Sequence, residues 1–139
     1  MERTPWEEGV KALDTNILLR FVMRDDETQF AKASGFLGSR TPDDPAFISL
    51  IVLVEFVWTL RQRYGLGRSE ILSLVTTLLE TRELAFEDED ELSMIIADAE
   101  RGELADHLIS YCARRAGCSS TVTFDQGAAK AVPAMELLA

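Results

Sequence analysis

Histidine is nearly missing from this chain: His107 is the only one in 139 residues. A mechanism built on two histidines, one as general acid and one as general base, is thereby excluded. Cysteine occurs twice, as Cys112 and Cys118. One disulfide is not what a chain of this size needs for stability, so both are expected as reduced thiols in the core. Zinc is excluded too, because His107, Cys112 and Cys118 lie five and six residues apart. That spacing matches no finger, and a fourth ligand is missing. The four prolines mark no linker, and no repeat or low-complexity tract interrupts residues 1–139, which leaves a single domain. Long apolar runs are absent as well. The longest, "SLIVLVEFVWTL", is broken by Glu55 before it reaches the ~20 residues a membrane helix needs. The opening "MERTPWEEGV" carries no apolar leader core, so a cytoplasmic protein with no membrane partner is expected. Positive charge is scarce: 14 Lys and Arg against 24 Asp and Glu give a net charge of −10. Such a surface repels polyanions, so any nucleic acid has to be held by a local basic patch or by bound cations. A basic protein partner fits the overall charge more readily.

What is present alternates between two periodicities. "VKAL" (10–13), "AFI" (46–48), "ELAF" (83–86) and "TVTF" (121–124) have the composition of short strands, and "AMELL" is a further strand expected to close the sheet. Between them lie helical stretches. "DTNILLRFV" turns into a helix at Asp14, and the next helix opens with Asp26 and Gln29 in capping-box spacing and carries Phe30, Ala33 and Leu37 at helical period. Ser49 is placed to cap a helix over 50–64, which "RYGLG" ends with glycines suited to a left-handed turn. "SEILSLVTTLLE" is another helix. "DELSMIIADAE" and "ELADHLISYCARRAG" are two more, separated by Gly102. Strands joined by helical crossovers give a mainly parallel sheet with helices on both faces, hence an α/β fold in three α/β/α layers.

In such a sheet, ligands bind beyond the carboxyl ends of the strands. Asp14 follows the first strand and Asp125 the fourth, so both are expected at that edge. Either one alone reads as a helix cap. Thr123, two residues before Asp125, would point the same way on a strand and steady its carboxylate, and Asn16 is placed to do the same for Asp14. Glu55 lies among apolar residues on nearly every side of its helix, which predicts a buried position. A buried carboxylate has to be paired, protonated, metal-bound or in a polar cavity, and Arg20, Arg24, Arg61 and Arg63 are the candidate ion-pair partners. Asp106 begins a helix whose expected core face is Ala105, Leu108, Ile109, Cys112 and Ala116, with Asp106 at its border. His107 is expected at the surface or half-buried.

If Asp14, Glu55, Asp106 and Asp125 converge, their charges repel, and some of them must take up protons unless a cation is present. Oxygen ligands without Cys or His select Mg²⁺, with Mn²⁺ as a substitute. A bound Mg²⁺ makes its water more acidic and offsets charge on a phosphodiester.

At this point the sequence resembles a known family. "ALDTNILLRFVMRDDE", "FISLIVLVEFVWTL", "GELADHLISYCARRAG" and "TVTFDQGAAK" are similar, in order, to the four motif regions of PIN-domain ribonucleases, specifically the VapC-type toxins of toxin–antitoxin pairs. The resemblance runs from about Val10 to Lys130. It implies a Mg²⁺-dependent endoribonuclease with an RNA substrate, a homodimer, and a small DNA-binding antitoxin whose tail covers the acidic site. It makes Asp14, Glu55, Asp106 and Asp125 the catalytic acids. Asp14, Asp106 and Asp125 become metal ligands, and Asn16 and Thr123 supporting polar positions. Residues 1–9 precede the first family strand as an N-terminal extension with no role assigned. Two alternatives from other classes stand beside it. One is a catalytically silent PIN fold acting as a binding or assembly module. The other is a phosphohydrolase with Asp14 as nucleophile, which usually wants a second acid where this chain has Asn16.

Overall fold

In the computed structural model the chain is described over residues 9–138, so most of the N-terminal extension lies outside the described residues. Strand β1 (Lys11–Ala12) leads through buried Leu13 to helix α1 (Thr15–Met23), whose N-cap is Asp14. Helix α2 (Glu27–Gly38) is capped by Asp26, which accepts from the Gln29 N–H at 2.9 Å. The return half of the capping box is diverted, because the Gln29 side chain accepts from Arg20 Nε at 2.6 Å. Strand β2 (Ala46–Ile48) follows, and Ser49 caps α3 (Leu50–Gln62) by accepting from the Val52 N–H at 3.2 Å. Then come α4 (Arg68–Leu79), β3 (Leu84–Phe86), α5 (Glu89–Asp98), α6 (Leu104–Arg115), β4 (Thr121–Thr123), α7 (Gln126–Ala131) and β5 (Met135–Leu137).

Every described strand pair is parallel, as the helical crossovers require. The architecture is the expected α/β/α arrangement around a parallel sheet. The sheet itself falls into two ladders, β1-β2-β3 and β4-β5, so β5 extends β4 rather than closing one continuous sheet. Strand β1 has only two residues, both in register with β2 (Lys11 with Ala46, Ala12 with Phe47). Ala46 and Ile48 of this central strand are fully buried, and Leu18, Leu53, Phe56, Leu60 and Leu108 pack into the same core. Among the described residues no helix is long and apolar enough to cross a membrane.

Helix α6 differs from expectation in rotation. Its buried face is Leu104, His107, Leu108 and Ser110, while Ile109 is 44% exposed. Two polar side chains can face inward because each finds a carbonyl: His107 Nε2 lies 2.6 Å from the Arg101 oxygen, and Ser110 donates to the Pro133 oxygen at 2.6 Å. Burying a polar group is tolerated when its hydrogen bond is made. His107 is therefore buried, not a surface residue. Both cysteines are free, but Cys118 is exposed and only Cys112 is partly buried, so the expectation of two core thiols fails for Cys118. Gly102, in the turn before α6, has φ +83, and a Cβ there would lie 3.0 Å from Val132 Cγ2 and 3.3 Å from His107 Nε2. Only glycine allows this turn to pass so close to α7.

The two faces of α3 give a direct stability test. Phe56→Ala, at a fully buried position, should cost about 3–5 kcal/mol in urea unfolding. Ile51→Ala, at 82% exposure, should change stability by no more than ~0.5 kcal/mol. Equal losses at the two sites would mean that the outer face of α3 is packed.

Candidate active site

Asp14 stands where β1 ends, as the sheet-edge rule requires. One carboxylate oxygen caps α1, accepting from the Ile17 N–H at 3.1 Å; the other has no partner among the described residues. The next residue, Thr15, is buried and donates its hydroxyl hydrogen to Glu55 Oε1, tying the end of β1 to α3. Glu55 itself is exposed, contrary to the burial expected from its neighbours. The apolar residues of α3 do not all face inward. Leu53, Phe56, Val57 and Leu60 enter the core, whereas Ile51 and Trp58 (55% exposed) flank Glu55 on the outer side. None of the candidate arginines pairs with it. Arg20 is bound to Asp25 at 3.3 Å and Arg61 to Glu103 at 3.2 Å, Arg24 lies 4.0 Å above the Phe30 ring, and no described ion pair includes Arg63 or Glu55.

Asp125 follows β4 and caps α7, with Oδ1 accepting from the Ala128 N–H at 2.9 Å. Thr123 does support it, but through the backbone: the Asp125 N–H donates to Thr123 Oγ1 at 3.0 Å. The strand ends at Thr123, so the two side chains do not share a strand face and the expected hydroxyl-to-carboxylate contact is not made. Asn16 is exposed and makes no side-chain hydrogen bond among the described residues.

Asp106, in the first turn of α6, is half-buried. Burial holds its carboxyl above the usual range, the charges of Asp125 and Glu103 push it further, and His107 acts weakly in the other direction. No side-chain partner satisfies the Asp106 carboxylate among the described residues. Asp106 and Asp125 line a cavity of about 230 Å³ together with Trp58, Arg61, Arg68 and Glu103. Trp58 also borders the adjoining groove that contains Glu55. The acids thus form two sets, Asp14 with Thr15 and Glu55, and Asp106 with Asp125 and Glu103. Among the described residues no three His, Cys, Asp or Glu side chains stand close enough to form one ready-made metal cage.

The PIN-domain family model matches residues 11–132. The chain belongs to the PIN-domain family. No curated protein matches the sequence closely. PIN domains are typically metal-dependent nucleases that use divalent ions. Within this PIN domain, sequence reasoning passed over Thr15 in favour of its neighbour Asn16, although Thr15 is the residue that grips Glu55. Its only local signal was its place directly after Asp14 in "DTN". Glu103, which in the sequence looks like any acid at a helix start, both raises Asp106 and holds Arg61.

The like charges make a titration prediction. Asp125→Asn should lower the midpoint of Asp106, followed by carboxyl NMR, but only in part, since burial is the larger cause. A raised folded-state value means that the native protein binds the extra proton. Asp106 therefore contributes instability above its folded midpoint, and stability returns as pH falls toward the unfolded value. Asp106→Asn should accordingly stabilise the fold at pH 7 and lose that advantage near pH 4. A midpoint indifferent to Asp125→Asn would mean that the two carboxylates do not interact.

Proposed function

We propose that this PIN domain is a Mg²⁺-dependent endoribonuclease and serves as the toxin of a toxin–antitoxin pair. The observation that carries the proposal is the pairing of Asp106 and Asp125 on one cavity, where burial first and the Asp125 and Glu103 charges second raise the proton affinity of Asp106. Neither Asp106 nor Asp125 forms an ion pair among the described residues, and acids kept together in this way gain most from a divalent cation.

The donor set suits Mg²⁺ even without a ready-made cage. That ion retains several waters and is commonly bound through one or two carboxylates plus substrate phosphate. Asp106 and Asp125 would form one carboxylate set and Asp14 the other, with Glu55 fixed in place by Thr15. When bound, the cation supplies a more acidic water and neutralises charge on the phosphodiester. The chain's own contribution is placement. The caps at Asp14 and Asp125 fix one oxygen of each carboxylate, and Asp106 is set in the first turn of α6. Hydrolysis by water leaves a 5′-phosphate and a 3′-hydroxyl.

The toxin role, the homodimer and the DNA-binding antitoxin rest on the ordered resemblance of the four motif regions. Exposed Ile51, Trp58 and Ile109 line one groove along α3 and α6, and an apolar patch of this kind supports a partner-covered surface. One alternative, a silent PIN module, is favoured by the lack of three acids within reach of one ion.

Cleavage assays separate them. RNA hydrolysis should need Mg²⁺ or Mn²⁺, stop with chelator, and fall at least ~100-fold in Asp14→Asn and Asp106→Asn. Thr15→Val should cost ~10–100-fold, as for a residue that orients a ligand, while Asn16→Ala should matter far less. Cleavage that survives chelator and both Asp substitutions would end the metal mechanism, and no cleavage at all would favour the silent module.

A further inference from the structure

An acidic protein that cuts RNA has to hold a polyanion somewhere, and the described surface offers one place next to the acids where it can. Trp58 presents a half-exposed indole on the same face of α3 as Glu55, three residues away. It lines the cavity that contains Asp106 and Asp125. Two guanidinium groups line the same cavity. Arg61 is held in position, donating to Glu103 and to the Leu66 carbonyl, each at 3.2 Å. Arg68, at the start of α4, is exposed and has no ion-pair partner among the described residues.

An aromatic face flanked by arginines is the usual arrangement for single-stranded nucleic acid: bases stack on the ring and phosphates meet the cations. Exposing a large indole to water is unfavourable for the free protein, and a stacked base would cover it. The volume sets the size of the occupant. At about 230 Å³ the cavity falls below the roughly 300–1,000 Å³ of drug-sized pockets, which admits a single base or phosphate group and not a duplex.

We infer that Trp58 and Arg68 form a subsite for one unpaired nucleotide beside the scissile phosphate: the base stacks on Trp58 and its phosphate meets Arg68. The inference rests on the nuclease role of the neighbouring acids and assigns to it two residues that hold the strand.

The test uses tryptophan fluorescence. The chain has two tryptophans, Trp6 and Trp58, so Trp6→Phe leaves Trp58 as the only reporter, and Asp14→Asn in the same protein keeps the RNA intact. With Mg²⁺ present, a mixed-sequence single-stranded RNA octamer should quench Trp58, and the same octamer in a duplex should not. In the otherwise native enzyme, Trp58→Ala should raise KM about 5- to 150-fold, the range measured for lost base stacking, with kcat changed much less; Trp58→Phe should restore most of it. Arg68→Ala should reduce the log–log salt slope of binding by about 0.7, one single-strand phosphate contact. Trp58→Phe and the fluorescence titration keep the test decisive if Trp58→Ala fails to fold. Cleavage by the native enzyme with no quenching and an unchanged KM in Trp58→Ala would overturn the subsite while leaving the nuclease standing, and would assign the indole to a protein partner. Quenching without cleavage would uphold the subsite and remove the nuclease.

Discussion

Carboxylates held close together repel one another, and the arrangement of this site follows from how the fold meets that cost. Asp106 stands near Asp125 and Glu103 and has no cation of its own. Arg61, the guanidinium best placed to help, is taken by Glu103. The charge that remains is met in part by a raised proton affinity at Asp106. A divalent ion would meet it more completely, because it adds two charges where a proton adds one. Capping explains one oxygen of Asp14 and one of Asp125, but Asp106 makes no cap and gains nothing for the fold by its charge.

The fold brings these residues together by simple means. Short parallel strands end at one edge, and the helix that follows each strand begins there. Asp14 and Asp125 do two jobs at that junction, capping α1 and α7 with one oxygen while the other stays available. The Thr15 hydroxyl then links the β1 end to α3 across 40 residues of sequence, which sets the position of Glu55. Gly102 allows the turn before α6 to press against α7, bringing Asp106 to the Asp125 side. Each device is local and small.

Much of this was legible in the sequence, for reasons that differ by residue. Element order, the caps at Asp14, Asp26 and Ser49, and the placing of Asp14 and Asp125 at strand ends depend on nearest neighbours, which a sequence displays directly. Glu55 was misjudged because an all-apolar surround says a helix is greasy, not which side its partners cover. Ile51 and Trp58 turned out to share the outer face. The α6 face was set one step off because His107 and Ser110 are buried against carbonyls of Arg101 and Pro133, contacts that no periodicity announces. The role of Thr15 depends on a partner distant in sequence, and the separation of β4-β5 from β1-β2-β3 depends on which strands pair, which strand composition does not state.

The central claim is that these acids take up a divalent cation. A crystal of the protein soaked in Mn²⁺ and measured at the manganese absorption edge addresses it without relying on activity or on any substrate. The account predicts an anomalous peak coordinated by Asp106 or Asp125 carboxylate oxygens, with Asp14 ligating the same ion or a second one. Clean density for all four acids with no manganese between them, at a Mn²⁺ concentration that saturates ordinary two-carboxylate sites, would contradict it.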